Sequence, residues 1–249
     1  MITCGGISEV GDRRASNQDS ILYVHDIVEG HTVGLFAVAD GMGGLSFGLE
    51  MSRYIVSELK RWWEMDMPQM IHSDCTKDEE IHELLDQEIW DINQSALKFV
   101  KQTGRQSGST LAFLFLLDRR YFIKNLGDSR IYRFRKQKME QLTVDQITCQ
   151  PVKAGNRIVR YRSVLTMCVG MLESPVAYST DGIVSTGDCF LLCSDGLYNC
   201  LETDNICSVL ENTDLHPNDM ALNIRKKIPV GQALDNVSVI IIKIGKIRK

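Results

Sequence analysis

The chain has 249 residues, 44% apolar and 24% charged; this is ordinary globular usage, long enough to bury a sizeable core, and it excludes a disordered or collagen-like chain. Lys and Arg number 28 against 32 Asp and Glu, so a formal charge of −4 argues against a nucleic-acid binder working by bulk charge. No apolar run reaches the roughly 18 residues of a spanning helix, and MITCGGISEVGDRR lacks the apolar centre of an export signal, so the chain reads as soluble and cytoplasmic.

In chain order, VGLFAVA (33–39) predicts a buried strand that ends in a glycine-rich loop, Asp40-Gly41-Met42-Gly43-Gly44. Leu49, Tyr54, Ile55, Leu59 and Trp62 or Trp63 then recur along one face of a helix. A second helix opens with Thr76 and Glu79 as a capping box. It keeps a stripe of Ile81, Leu84, Leu85, Ile89, Ile92, Ala96, Phe99 and Val100, and meets a C-capping glycine at Gly104. Asp78, Glu79 and Glu80 suit the positive end of its dipole.

Leu111–Leu117, Tyr121–Asn125 and Arg130–Phe134 read as a meander of antiparallel strands, with a further turn at Lys136–Lys138. Cys189–Cys193 and Val237–Ile244 are further strands, separated by helices at Ile206–Leu210 and, after Pro217, Met220–Lys227. Strands in this number with paired helices point to an α+β layered fold. No repeat and no Pro/Gly/Ser linker divides the sequence, so residues 1–249 are expected to form one domain.

The eight cysteines include no pair two residues apart, which leaves buried free thiols as the expectation. Trp62, Trp63 and Trp90 read as packing residues, Arg119-Arg120 and Arg133-Phe-Arg135-Lys136 as solvated turns and strand edges, and the tail GKIRK as a frayed basic end.

Four aspartates stand at or near the ends of apolar strands: Asp40, Asp128, Asp195 and Asp235. Strand ends of a layered sheet gather at one edge, and carboxylates gathered there repel one another unless cations neutralise them. Oxygen ligands without histidine suit Mg²⁺ or Mn²⁺ rather than Zn²⁺. Gly41 leaves its carbonyl open to a cation, and Gly43 and Gly44 keep side chains out of the approach. Two such cations acidify a water and neutralise phosphate oxygens, and Arg14 is a candidate to orient the dianion.

The ordered blocks Arg14-Ala-Ser-Asn17-Gln-Asp19, VADGMGG (38–44), SGST (107–110), NLGDSRIYRF (125–134), LLCSDGL (191–197) and DNVSVIII (235–242) together resemble the metal-dependent protein serine/threonine phosphatases of the PPM or PP2C type, in their compact bacterial form. The resemblance implies a four-layer fold, a central antiparallel β-sandwich flanked by pairs of helices, with a dinuclear Mn²⁺ or Mg²⁺ centre at one end. By position, Asp40 matches the ligand bridging both ions, the Gly41 carbonyl a ligand of one, and Asp195 and Asp235 ligands of the other. Asp128 with Asp195 matches the site of a third, weaker ion, Arg14 the phosphate-binding arginine, and Asp19 an acid that orients bound water.

The implied chemistry is direct attack of an activated water on phosphoserine or phosphothreonine, with no phosphoenzyme. The implied partners are phosphorylated proteins, including a Ser/Thr kinase and its substrates, met by a monomer. A pseudophosphatase used as scaffold or sensor and a small-molecule phosphomonoesterase are the competing readings.

Four departures from the family pattern stand out. Met42 replaces a histidine of animal members, so a water would supply the leaving-group proton. Gln18 precedes Asp19 where Glu is common. A short, divergent flap at about 144–163 carries Asp145-Gln146 in place of an Asp-His pair, and LTMCVGM (165–171) is a loose version of its block.

Overall fold

Strands β1 (Ile2–Glu9), β2 (Asp19–Val28) and β3 (His31–Gly43) lead into helices α1 (Phe47–Met65), α2 (Met67–His72) and α3 (Asp78–Thr103). A run of strands follows: β4 (Ser107–Ser109), β5 (Leu111–Leu117), β6 (Arg120–Leu126), β7 (Arg130–Arg135), β8 (Lys138–Gln141), β9 (Ile147–Ala154), β10 (Arg157–Leu165), β11 (Tyr178–Ile183) and β12 (Cys189–Cys193). Helices α4 (Asp195–Tyr198), α5 (Thr203–Leu210) and α6 (Pro217–Lys227) precede the last strand, β13 (Val237–Ile244). This computed structural model describes residues 1–43, 47–73, 77–104, 106–154 and 157–246.

The strands pair antiparallel in two main sheets, β1-β13-β12-β7-β8 and β11-β6-β5-β3-β2, with β4 on the end of β3. The apolar runs are continuous because their strands are covered on both faces. Along β5, Leu111, Phe113, Phe115 and Leu117 pack with Met51, Ile55, Leu59, Ile81, Leu85 and Ile89 of α1 and α3. The alternate residues Ala112, Leu114 and Leu116 pack with Phe190, Leu192, Ile240 and Ile242 of the other sheet. That sheet turns Leu191, Val239 and Ile241 toward Ile206, Val209, Met220 and Ile224 of α5 and α6. The order is therefore helices, sheet, sheet, helices, the four-layer α+β arrangement expected.

Several local expectations are refined. The Asp40–Gly43 segment is the end of β3 rather than a loop, because Gly41, Met42 and Gly43 pair with Ser109, Gly108 and Ser107; Gly44 lies outside the described residues. Thr76 of the expected capping box also lies outside them; Lys77 is the N-cap, and Asp78, Glu79 and Glu80 occupy the first turn. Gly104 caps α3 with φ 65°, its N–H donating to the Val100 carbonyl at 3.0 Å. The segment read as a flap contains the two-stranded sheet β9-β10, whose strands, among the described residues, pair only with each other. In β1 the apolar alternation breaks at Gly5, where α6 approaches the backbone, and at Gly6, which lies against Val239 and Ile240 of β13. A Cβ on Gly5 would stand 2.1 Å from Asn218 Oδ1.

Trp62 is buried edge-on against Phe115, whereas Trp90 is 48% exposed. Cys168, Cys189 and Cys193 are buried free thiols; Cys149 is exposed. The basic stretches hold ion pairs within the fold: Arg120 with Asp78, Arg133 with Glu140, and Arg135 with the buried Asp188. The GKIRK tail is tied at Gly245 and Lys246 to Met1, and residues 247–249 lie outside the described residues.

Glu88 of α3 is buried, its Oε1 has no hydrogen-bond partner, and Arg61 stands 3.7 Å from Oε2. Burial first, then nearby acids, push its pKa up from 4.5 to about 7. The neutral form favours the fold, so this stability is full below pH 4.5 and is lost as pH rises through about 7. Glu88→Gln is expected to stabilise the protein at pH 8 by about 1–2 kcal/mol and to change little at pH 4, as checked by urea denaturation at both values.

Candidate active site

Every candidate aspartate sits at the same end of the two sheets, for reasons of register. Asp19 opens β2 and lies directly opposite Asp40 near the end of β3. Asp128 occupies the turn between β6 and β7, Asp195 begins α4 just after β12, and Asp235 stands two residues before β13. The end of β12 is opposite the start of β7 (Cys193 with Arg130) and pairs next to the start of β13 (Cys193 with Val239).

The backbone of Asp40 is held on both sides. Its N–H donates to Thr110 Oγ1 at 3.0 Å; its carbonyl accepts from the Thr110 N–H at 2.9 Å and from Ser109 Oγ at 3.0 Å. Thr110 Oγ1 in turn lies 2.7 Å from Ser129 Oγ, which joins the SGST segment to the Asp128 turn. Gly41 and Gly48 touch backbone to backbone. A Cβ on Gly41 would lie 2.0 Å from the Gly48 carbonyl, and one on Gly48 would lie 2.6 Å from the Gly41 carbonyl. Only glycines allow the first turn of α1 to meet the end of β3 this closely.

Asp19 is 5% exposed, and its Oδ2 accepts from Ser194 Oγ and Ser238 Oγ, both at 2.7 Å. Asp19 Oδ1 and Asp195 Oδ1 are buried with no hydrogen-bond partner. Arg14 forks onto Asp235, Nε to Oδ1 at 2.7 Å and Nη2 to Oδ2 at 2.5 Å, and the charges of Asp40 and Asp195 also act on it. Asn236 fastens the Arg14-bearing segment from beneath. It donates to the carbonyls of Val10 and Ser16 at 2.9 and 3.1 Å and accepts from the Gln18 N–H at 2.9 Å.

The carboxylates feel one another. Burial, then the charges of Asp19, Asp195, Asp235 and Asp128, push Asp40 well above the usual carboxylate range. Burial, then Asp128, Asp235 and Asp19, push Asp195 up to about 7, with Arg14 opposing. Asp19 and Asp128 are raised as well, each chiefly by burial. Among the described residues, no three Asp, Glu, His or Cys side chains close on a single ion position as they stand; like charges hold one another off, and Asp235 faces Arg14. The donor set is nonetheless that of a hard divalent cation: carboxylates without histidine or thiolate, two of them with orphaned buried oxygens.

Sequence reading did not single out Ser194, Ser238, Asn236 or Tyr198, although all lie in or beside the quoted blocks. A polar residue inside an apolar strand, such as Ser238 in DNVSVIII, was the available signal. Gln146, in place of the family's histidine, accepts from the Gly127 N–H at 3.0 Å and donates to the Val176 carbonyl at 2.8 Å. It stitches the root of the β9-β10 hairpin to the turn that bears Asp128.

A four-layer sandwich with clustered carboxylates and an arginine at one end fits the metal-dependent serine/threonine phosphatases that the sequence resembles. The family model described as protein phosphatase 2C matches residues 11–218, and the chain belongs to that family. It is 25% identical over 247 residues to the protein phosphatase PhpP of Streptococcus pneumoniae, 96% of each chain being covered. Among solved structures it is similar to PppA, described as a regulatory component of T6SS in Pseudomonas aeruginosa, with TM-score 0.74, 26% identity and 97% of each chain covered. The catalytic domain of the serine/threonine phosphatase PstP, solved in complex with two manganese ions, matches with TM-score 0.74 at 23% identity, over 98% of this chain and 99% of that one.

Because the acidic edge is self-repelling, Asp40→Asn is expected to remove cation binding yet stabilise the metal-free protein at pH 8, by about 1 kcal/mol or roughly 2–4 °C. The raised pKa means that ionisation costs stability as pH rises, so the gain shrinks at pH 5. Thermal melts in chelator at the two pH values check this.

Proposed function

We propose that this edge hydrolyses phosphoserine and phosphothreonine in proteins with two Mn²⁺ or Mg²⁺ ions held by Asp40, the Gly41 carbonyl, Asp195 and Asp235. A third, weaker ion belongs to Asp128 and Asp195. The observation that carries the reading is the set of buried carboxylates with raised pKa values and orphaned oxygens on Asp19 and Asp195. The two manganese ions described with the PstP catalytic domain support the same stoichiometry. When bound, such ions supply an acidified water and neutralise phosphate oxygens.

The chain's own residues do the rest. The Nε and Nη2 of Arg14 that now meet both oxygens of Asp235 fit two oxygens of a phosphate dianion equally well. Asp19, fixed through Oδ2 by two serines, keeps Oδ1 as an acceptor that can orient a water. Cys193 is no nucleophile, since burial pushes its thiol far up, and Met42 has no proton to give. A recess of about 700 Å³, lined by residues including Met42, Gly43, Ser107, Gly108 and Cys168, gives room beside the site for a substrate chain.

Within this reading, residues 1–249 act as one catalytic domain, monomeric and cytoplasmic, on phosphorylated proteins that include a Ser/Thr kinase and its substrates. No described helix is long and apolar enough to cross a membrane. A scaffold has no use for carboxylates that destabilise one another, which favours the enzyme over a pseudophosphatase.

Phosphate release from phosphoserine and phosphothreonine peptides, and from a small aryl phosphate, tests the proposal. Turnover that requires Mn²⁺ or Mg²⁺ and favours peptides is expected; folded protein without turnover on any of them rejects it, and preference for the aryl phosphate overturns the substrate class. Arg14→Ala is expected to lower kcat/KM on peptides by roughly 10–100-fold through lost phosphate contacts, in steady-state kinetics.

A further inference from the structure

Tyr198 closes the single turn of α4 that Asp195 opens, so the two residues lie on one face, three positions apart. Its hydroxyl reaches across the site and donates to the Asp128 carbonyl oxygen at 3.0 Å. One side chain thus spans the gap between the segment carrying Asp195 and the turn carrying Asp128. The Tyr198 ring is itself clamped. The Arg130 guanidinium lies over it at 3.5 Å from the centroid.

Arg130 is held in place, because each of its three nitrogens donates to a neighbour. Nε donates to Asp145 at 3.0 Å, Nη2 to Asp145 at 2.6 Å, and Nη1 to the Tyr132 hydroxyl at 3.0 Å. Gln141 adds a further bond to Asp145 at 3.0 Å. These bonds hold the guanidinium against the Tyr198 ring. The charges of Asp128 and Asp195 both act on the Tyr198 hydroxyl, after its burial.

We infer that Tyr198 is a positioning residue that sets the separation of Asp128 and Asp195, and through it the affinity of the weakest cation site. The inference rests on the reading of the acidic edge given above. The hydroxyl touches the Asp128 carbonyl and no reacting atom, so its effect passes through Asp128. The stacking on Arg130 makes the hydroxyl's location independent of the cation, which is preorganisation of the kind that tight sites require.

Titration with Mn²⁺, followed by the electron paramagnetic resonance of the free ion, tests this on the full chain. Wild type, Tyr198→Phe, Asp128→Asn and the double variant are compared, with thermal melts alongside. Wild type is expected to take up two ions tightly and one weakly. Tyr198→Phe should keep the tight sites within about twofold and weaken the third about fivefold, the worth of one hydrogen bond, with a melt lowered by no more than about 4 °C. The double variant should match Asp128→Asn, because a residue that acts through Asp128 has nothing left to position. Should Tyr198→Phe not fold, Tyr198→Trp also keeps a ring over Arg130 without the hydroxyl. A third site as strong as wild type, equal weakening of all sites, or additive losses in the double variant overturns the inference. Wild type that binds two ions only also overturns it and leaves the proposed function standing, whereas wild type that binds none defeats that function first.

Discussion

Five aspartates share one end of this sandwich, and the charges of the other four make Asp40 harder to ionise. The architecture is the counterweight to that repulsion. Apolar layers on both faces of both sheets fix the strand ends in register, so the acids cannot drift apart without disturbing buried cores. Two serines hold Asp19, Thr110 and Ser109 hold the backbone of Asp40, and Arg14 offsets the charge of Asp235. On the proposed reading, a cation entering such a place meets carboxylates that are already desolvated and relieves their mutual repulsion as it draws them together.

The same arrangement explains what was legible in the amino-acid order. The strands were readable because a sandwich covered by helices needs uninterrupted apolar runs, as in Leu111–Leu117 and Val237–Ile244. The acids were readable because a charged residue at the close of such a run is conspicuous. Three things were not. The true end of β3 was hidden by glycines, which read as a loop when they serve close packing against Gly48. Strand β1 was hidden by Gly5, which lets α6 approach, and Gly6, which lies against β13. The polar contacts that seat the acids, such as Ser194 and Ser238 on Asp19, join residues 175 and 219 positions apart, and no local pattern announces them.

The hairpin β9-β10 departs furthest from the family pattern, yet its root is well fastened. Asp145 is committed to Arg130, and Gln146 bridges Gly127 and Val176, so the departure from Asp-His trades one set of root contacts for another. An amide carries no charge at any pH, whereas an imidazole titrates near neutrality. The base of this hairpin is consequently indifferent to pH in a range where a histidine there would switch.

Asp19 belongs to one sheet, while both serines that grip it come from interior strands of the other: Ser194 follows β12 and Ser238 lies in β13. The rivet that seats the acid therefore also pins the two halves of the sandwich together. No contiguous stretch from either half of the polypeptide can assemble the centre, since Asp19 and Asp40 come from its beginning and Asp195 and Asp235 from its close. On the proposed assignment the site is complete only once β13 has paired, because Asp235 precedes that strand and Ser238 lies in it.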